Sequence, residues 1–509
     1  MDLRDPERRE HYEWASPDAY LRRRDFLART AMLAGLAAGM GTVLSPDRLV
    51  SAAAAVEERV WLPSPRNMPI DTFVVLMMEN RSFGHYLGWL PGADGIQAGL
   101  TYTDAHGKSF ATHPLNAVGH YDYQGCAFND PDHSWGGGRT ELNGGHCDGW
   151  LRAGSNDVFS IGYYPHDPAG PLQFIQAAAQ QFTACDRFFC SLLGSTFPNR
   201  EYMHAGESYG LIDNTQPPSA GYPTGFPDTT IFAAAKARGV SNGYFYNDLP
   251  ASALWGQPGL SRSMRIETFH EMAAAGTLPA ITYVDPAFED EGSGTSGDEH
   301  PHGDVRVGQA FMADIAHSFM RSPQWKRGAM FIVYDEWGGF FDHVKPPRVR
   351  DKRNHAQLAK DFGQMGFRIP AVLLSPYARR GHVSHIPFGF ESILRMIEYR
   401  YGLSALTRRD QHANNIALAF DWESPPNIDP GTLPAPVNVV DHGAPCGSPA
   451  SPGPPARARG AAHRPKPHDM TALRTSGYLE RLGFHHRPAT HESTWREPHK
   501  MRKAIEASR

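Results

Sequence analysis

Two acidic pairs stand at the ends of two apolar runs. Thr72 to Met78 leads directly into Glu79-Asn80-Arg81-Ser82-Phe83, and Met330 to Tyr334 leads directly into Asp335-Glu336-Trp337-Gly338-Gly339. Each run is short, apolar and rich in aromatic or β-branched residues, so it reads as a strand buried on both faces. In an open parallel sheet, ligands bind beyond the carboxyl ends of the strands, which is where both pairs fall. Converging carboxylates repel one another unless a cation lies among them, and their oxygens are hard ligands for a divalent ion. One acidic residue ending a strand is usually a cap or a turn residue. Two such pairs with Gly or Asn flanks point instead to a cation site at the strand ends.

Between the pairs lies Gly194-Ser195-Thr196-Phe197-Pro198-Asn199-Arg200, a hydroxyl-bearing turn bracketed by Gly and Pro. A hydroxyl on such a constrained loop can point into a cleft, and a nearby metal makes it a nucleophile towards phosphorus. Taken alone the turn is a weak signal, because most Thr in such places hydrogen-bond their own backbone. Imidazoles complete the set. His133 sits in Asp130-Pro131-Asp132-His133-Ser134-Trp135, and His300 and His302 follow a Gly/Ser-rich loop from Gly292 to Gly297. His343 comes shortly after the second acidic pair. In phosphoryl transfer an imidazole holds a non-bridging oxygen or protonates the leaving one. With 25 His in the chain, any single one is more often structural. His133 and His300 rank above His302 and His343 because they lie in dense polar turns.

The elements that must position these residues follow from period and punctuation. Strands are expected at Thr72–Met78, Tyr244–Tyr246, Ile281–Val284, Met330–Tyr334 and Ala371–Leu374. Helical patterns at Leu172–Thr183, Thr230–Ala237, Gly308–Ser318 and Phe390–Tyr399 alternate with them. That alternation predicts an α/β fold with a mostly parallel sheet between helical layers. The 41% apolar content supports a sizeable core, and the formal charge of −5 without a basic stripe excludes a general nucleic-acid binder. The 50 Gly and 42 Pro indicate a loop-rich chain.

Both ends of the chain differ from the middle. Arg23-Arg24-Asp25-Phe26-Leu27 precedes an uncharged, Ala/Gly-rich run from Thr30 to Pro46, so residues 1–55 resemble a twin-arginine export signal. This predicts passage through the twin-arginine machinery to a periplasmic, wall-associated or secreted location. The catalytic domain is placed at 56–424. Twelve prolines between residues 421 and 470 mark 425–469 as an extended or flexible linker, with a short helix and tail over 470–509. Five cysteines in an exported chain permit disulfides. Cys126 with Cys147 and Cys185 with Cys190 are the expected pairs, leaving Cys446 over.

The motifs Glu79-Asn80-Arg81-Ser82-Phe83, Asp130 to Trp135, Gly194 to Arg200, Asp298 to Pro301 and Tyr334 to Val344 occur in an order that resembles a bacterial phosphoesterase family. That family holds phospholipases C of the non-haemolytic type and related acid phosphatases, and the resemblance runs from about residue 70 to about 402. It implies an alkaline-phosphatase-like three-layer α/β/α sandwich with a mostly parallel central sheet. It also implies one or more divalent metal ions, of unspecified identity, held with the phosphate by Glu79, Asn80, Asp335 and Glu336. Thr196 is the implied nucleophile, and His133 and His300 the implied contacts to the phosphoryl and leaving oxygens. Two departures stand out: Gly84 replaces the usual Asp of the first motif, and Ser195 replaces the usual Pro of the third. The resemblance implies cleavage of phosphatidylcholine-like lipids, with room for peripheral membrane contact. An acid phosphatase acting on phosphomonoesters, or an exported binding protein on an inactive fold, are the alternatives. Trp135, Trp150, Tyr163 and Tyr164 are candidates to cage a choline head group, against the plainer reading that they are core.

Overall fold

The computed structural model describes residues 62–116, 123–154, 156–289, 291–353, 360–434, 445–446 and 469–487. The export signal read in residues 1–55, most of the Pro-rich segment and the final tail lie outside them. Among the described residues no helix is long and apolar enough to cross a membrane.

An eight-stranded sheet forms the centre. Its strands are β1 (Thr72–Met78), β2 (Thr183–Cys185), β3 (Asn242–Tyr246), β4 (Ser263–Arg265), β5 (Ile281–Asp285), β6 (Gly328–Tyr334), β7 (Ala371–Leu374) and β8 (His382–Ser384), in the spatial order β8-β2-β7-β6-β1-β5-β3-β4. Only β7 runs against its neighbours, and every other pair in the sheet is parallel. Parallel neighbours need crossovers, and helices supply them. The helices used below are α1 (Phe83–Leu87), α2 (Trp135–Leu142), α3 (Gln173–Gln181), α4 (Thr196–Ala205), α5 (Ile231–Ala237), α6 (Ile266–Ala275), α7 (Val305–Arg321), α8 (Phe390–Tyr401), α9 (Arg408–His412), α10 (Asp469–Thr475) and α11 (Tyr478–Arg481).

These helices fall into two groups. α3, α6 and α7 pack together, and α4, α5 and α8 pack together, which makes three layers with the sheet. Every residue of β1, β5 and β6 is buried, as strands covered on both faces require. The five expected strands and four expected helices all form, within a few residues of the boundaries read from the sequence. The short strands β2, β4 and β8 were not foreseen, because three residues carry too little periodicity to be read.

The cysteines differ from expectation. Cys126 is bonded to Cys446, across 320 residues, while Cys147, Cys185 and Cys190 are free and buried. Closeness in sequence does not aim two Cβ atoms at each other. Cys185 ends β2, whereas Cys190 lies in the following loop, with its Sγ against the Leu192 carbonyl. Burial pushes the Cys147 thiol up to about 12.

The segment after residue 424, read as the start of the linker, lies against the domain up to residue 434. Trp325 donates its indole N–H to the Ile428 carbonyl, and Leu433 is buried. α10 and α11 dock further round, where the Tyr478 hydroxyl donates to the Ala253 carbonyl at 3.1 Å.

Candidate active site

The register of β1 with β6 places the two acidic pairs side by side. Met78 is opposite Tyr334, so Glu79 and Asp335 leave the sheet at the same level. The Asp335 N–H donates to the Met78 carbonyl at 3.0 Å, and the Asn80 N–H donates to Asp335 Oδ1 at 3.0 Å. Asn80 has φ +58, in the left-handed region that Asn tolerates better than most residues. The turn after β6 comes so close that a Cβ on Gly338, at φ +64, would stand 2.0 Å from the Asn80 carbonyl oxygen. Only glycine fits there. Its N–H donates to Glu336 Oε2 at 2.7 Å.

Four side-chain groups meet at this crossing. The Asn80 amide lies 2.5 Å from Glu336 Oε1, 2.9 Å from Glu79 Oε2 and 3.3 Å from Asp335 Oδ1. With its nitrogen turned towards these carboxylates, its oxygen accepts from His300 Nε2 at 2.9 Å. Glu79, Asn80, Asp335 and Glu336 are all fully buried. Burial first, and then the neighbouring Asp335, hold the Glu79 and Glu336 carboxyls well above the usual range.

Among the described residues, the guanidinium of Arg200 reaches into this cluster. Arg200 donates to Glu79 Oε1 from Nε (3.0 Å) and Nη2 (2.6 Å), and to Asp285 Oδ1 from Nη1 (2.9 Å). Its Nε lies 3.9 Å from Asp335 Oδ2, an oxygen with no hydrogen-bond donor. Three buried carboxyl groups and an amide converge here, and the Arg200 guanidinium that reaches them is shared with Asp285, so their oxygens outnumber the donors offered to them. That donor set fits a hard divalent cation.

Thr196 opens α4 one turn ahead of Arg200. Its Oγ1 donates to Glu79 Oε2 at 3.3 Å, and its side chain is buried. Ser195 caps α4 by position but makes no side-chain capping bond. Of the two adjacent hydroxyls, Thr196 is the one bonded into the carboxylate cluster.

The imidazoles stand on loops at the rim. His300 is buried, whereas His133 and Asp130 are half-buried. Asp130, His133 and His300 each offer one ligand atom, all within 4.8 Å of one another, and Asp130 Oδ2 is 3.8 Å from His300 Nε2. The His300 loop is pinned from behind by Arg81, whose Nε donates to the Glu299 carbonyl at 2.8 Å. Glu299, at φ +72, accepts from the Tyr334 hydroxyl at 2.6 Å and from Gln309 at 2.8 Å. The Glu79 N–H donates to the Asp298 carbonyl, which joins this loop to the end of β1.

Other expected residues lie elsewhere. His302 Nε2 bonds the Phe128 carbonyl at 3.3 Å, and His343 Nε2 bonds Asp94 Oδ1 at 3.1 Å, so neither reaches the carboxylates through these contacts. Trp150, Tyr163 and Tyr164 are core, with the Trp150 indole donating to the Cys147 carbonyl. Trp135 is partly buried, with the Arg139 guanidinium 3.1 Å from its ring centroid. The aromatic cage for choline is therefore not assembled from these four rings. Gly84, where the motif departs, gives its N–H to Asp342 Oδ2 at 3.1 Å, and a Cβ there would crowd the Phe341 carbonyl at 3.0 Å.

Arg200 and Asp285 were missed as site residues. Arg200 stands four residues after Thr196 on one helix face, and Asp285 ends a strand as Glu79 and Asp335 follow theirs. Both rules were available in the sequence.

A sequence model of the phosphoesterase family matches residues 70–404. The chain is 31% identical over 402 residues to non-specific phospholipase C1 of Arabidopsis thaliana, covering 72% of this chain and 74% of that one. It is 29% identical over 431 residues to phospholipase C B of Mycobacterium tuberculosis, covering 72% and 80% respectively. Among solved structures, a protein in the alkaline phosphatase superfamily from Vibrio parahaemolyticus is similar at a TM-score of 0.33 and 10% identity, over 70% of each chain.

Proposed function

This chain belongs to the phosphoesterase family and is a phosphoric ester hydrolase, and from that premise we propose that it is an exported, metal-dependent phospholipase C. Its substrate is a phosphatidylcholine-like lipid, cleaved to diacylglycerol and a phosphorylated head group. The observation that carries the mechanism is the Thr196 hydroxyl bonded to Glu79 Oε2 at the edge of the buried oxygen cluster.

Thr196 Oγ1 attacks phosphorus, and its proton passes to Glu79 Oε2, the oxygen that already accepts its hydrogen bond. The phosphorus–oxygen bond to the glycerol carbon chain breaks. The departing oxygen takes a proton from an imidazolium at the rim, a role that suits the half-exposed His133. His300, whose Nε2 lies within hydrogen-bond reach of the Asn80 amide, holds a non-bridging oxygen. Water then attacks the phosphothreonine and frees the phosphorylated head group. A divalent cation held by Glu79, Asn80, Asp335 and Glu336 would offset charge developing on the phosphoryl oxygens and make the hydroxyl a better nucleophile. The paired arginines at 23 and 24 support export by the twin-arginine route.

Replacing Thr196 by Ala is expected to lower kcat roughly 10⁴-fold or more, the scale of losing a nucleophile. Turnover is followed on phosphatidylcholine vesicles and on an aryl phosphate. Diacylglycerol release without monoesterase activity supports the phospholipase reading, while turnover of the aryl phosphate alone sinks it in favour of an acid phosphatase. Chelation followed by dialysis should abolish activity, and added divalent metal should restore it.

A further inference from the structure

The two sides of the site are held in different ways. The carboxylates leave adjacent parallel strands, β1 and β6, paired along seven residues. Asp130, His133 and His300 sit on two loops, 123–134 and 291–304, that belong to no sheet. Those loops are tied to each other by the Gly125 N–H donating to the Pro301 carbonyl (2.8 Å) and the Val305 N–H to the Tyr123 carbonyl (3.0 Å). Gln124 Nε2 also donates to the Gly294 carbonyl at 2.6 Å.

A third segment joins them from far along the chain. Cys446 is bonded to Cys126, four residues before Asp130, and its N–H donates to the Ser293 carbonyl at 2.7 Å, seven residues before His300. Gly294, at φ +84, lies beneath the bond. A Cβ there would be 2.7 Å from Cys446 Sγ, 2.7 Å from the His302 carbonyl and 3.3 Å from Cys126 Sγ. The disulfide therefore sits where both imidazole-bearing loops and the C-terminal segment touch.

We infer that the Cys126–Cys446 disulfide is a positioning clamp, which sets Asp130, His133 and His300 against Thr196 by locking the 123–134 and 291–304 loops together. The inference rests on the proposed roles of His133 and His300 for its catalytic consequence and on the loop contacts alone for its structural one. Neither sulfur bonds any of the proposed catalytic side chains, so the cysteines act through the loops. Opening the clamp with a dithiol converts both sulfurs to thiols and the dithiol to its own disulfide.

The test compares full-length wild type, Cys446→Ser and Gly294→Ala. Cys446→Ser is expected to lower kcat roughly ten- to a hundredfold, the scale of about 1 Å of misplacement, while KM and bound metal stay at wild-type values. Amide exchange should quicken in 123–134 and 291–304 but not in β1 or β6. Dithiothreitol should bring folded wild type to the same kcat, reversibly, and leave Cys446→Ser unchanged. Gly294→Ala, which keeps both cysteines, should show the same exchange pattern. Should Cys446→Ser fail to fold, the reduced wild type and Gly294→Ala decide the matter. Wild-type exchange in both loops overturns the clamp, as does a kcat loss that appears only together with metal loss or global melting. An active Thr196→Ala would refute the nucleophile assignment, and loop exchange alone would then decide for or against the clamp.

Discussion

Arg200 lies among Glu79, Asp285 and Asp335, and none of the four side chains is more than 3% exposed. Burial works against its charge, yet the three carboxylates overcome that and hold its proton more tightly than usual. A buried charge left without its partner is costly. Arg200→Met should therefore destabilise the protein by about 3–5 kcal/mol in urea denaturation, since Glu79 and Asp285 lose their shared donor. Added divalent cation should recover part of that loss, because a metal can offset the carboxylates that the guanidinium no longer reaches. Recovery with monovalent salt to the same extent would count against a dedicated cation site. At this scale the chemistry is set by who is paired: Thr196 with Glu79, Asn80 with three carboxylates, and Arg81 with the backbone of the His300 loop.

At the scale of elements, α8 and α9 meet through an acid pair. Glu398 and Asp410 both face the Leu406 N–H, and burial first, then Asp410, raise the Glu398 carboxyl to about 10. The folded state thus binds this proton more tightly than the unfolded chain, whose carboxyl titrates near about 4.3. Protonation linkage then makes stability greatest at or below that lower value and reduces it as pH rises towards 10. Glu398→Gln keeps a donor towards Asp410 and removes the titration. Its melting temperature should fall less than that of wild type between pH 5 and pH 9, and identical slopes would dismiss the shared proton. The same scale explains the site's placement. β1, β5 and β6 are neighbours: Glu79 and Asp335 leave β1 and β6 at one level, and Asp285 ends β5 beside Met77, without any loop having to bring them there.

Across the whole molecule, the described residues from 445 onward are anchored at the disulfide and at α10 and α11. The disulfide holds Cys446 beside Ser293, and α10 and α11 dock nearby, with Arg474 Nη2 and His486 Nε2 each reaching Glu289, at 2.6 and 2.8 Å. Tyr478 is buried in this unit with Met470, Leu473 and Leu479, and its hydroxyl also donates to the Ala253 carbonyl. Tyr478→Ala should remove about 3 kcal/mol of docking, a little over a hundredfold in the opening equilibrium. Limited trypsin digestion should then cut at Arg474 or Arg481 at least tenfold faster than in wild type, while the core fragment stays intact. Unchanged cleavage would mean that the unit is held from elsewhere.

The motif residues and the strands that carry them were legible because both are local. A buried strand is a run of apolar residues, and the acid that ends it is read from the next letter, as at Met78-Glu79 and Tyr334-Asp335. Asp285 obeys the same rule, one residue past the apolar run Ile281–Val284 that reads as the strand. What no local rule could supply was pairing over distance. Cys126 found Cys446 rather than Cys147, and Trp150 and Tyr164 became core rather than the wall of a cleft. The amino-acid sequence by itself determined which side chains could do chemistry and at which strand ends they stand. Only the tertiary structure decided which of them meet, because loop contacts between residues hundreds of positions apart depend on packing that no periodicity encodes.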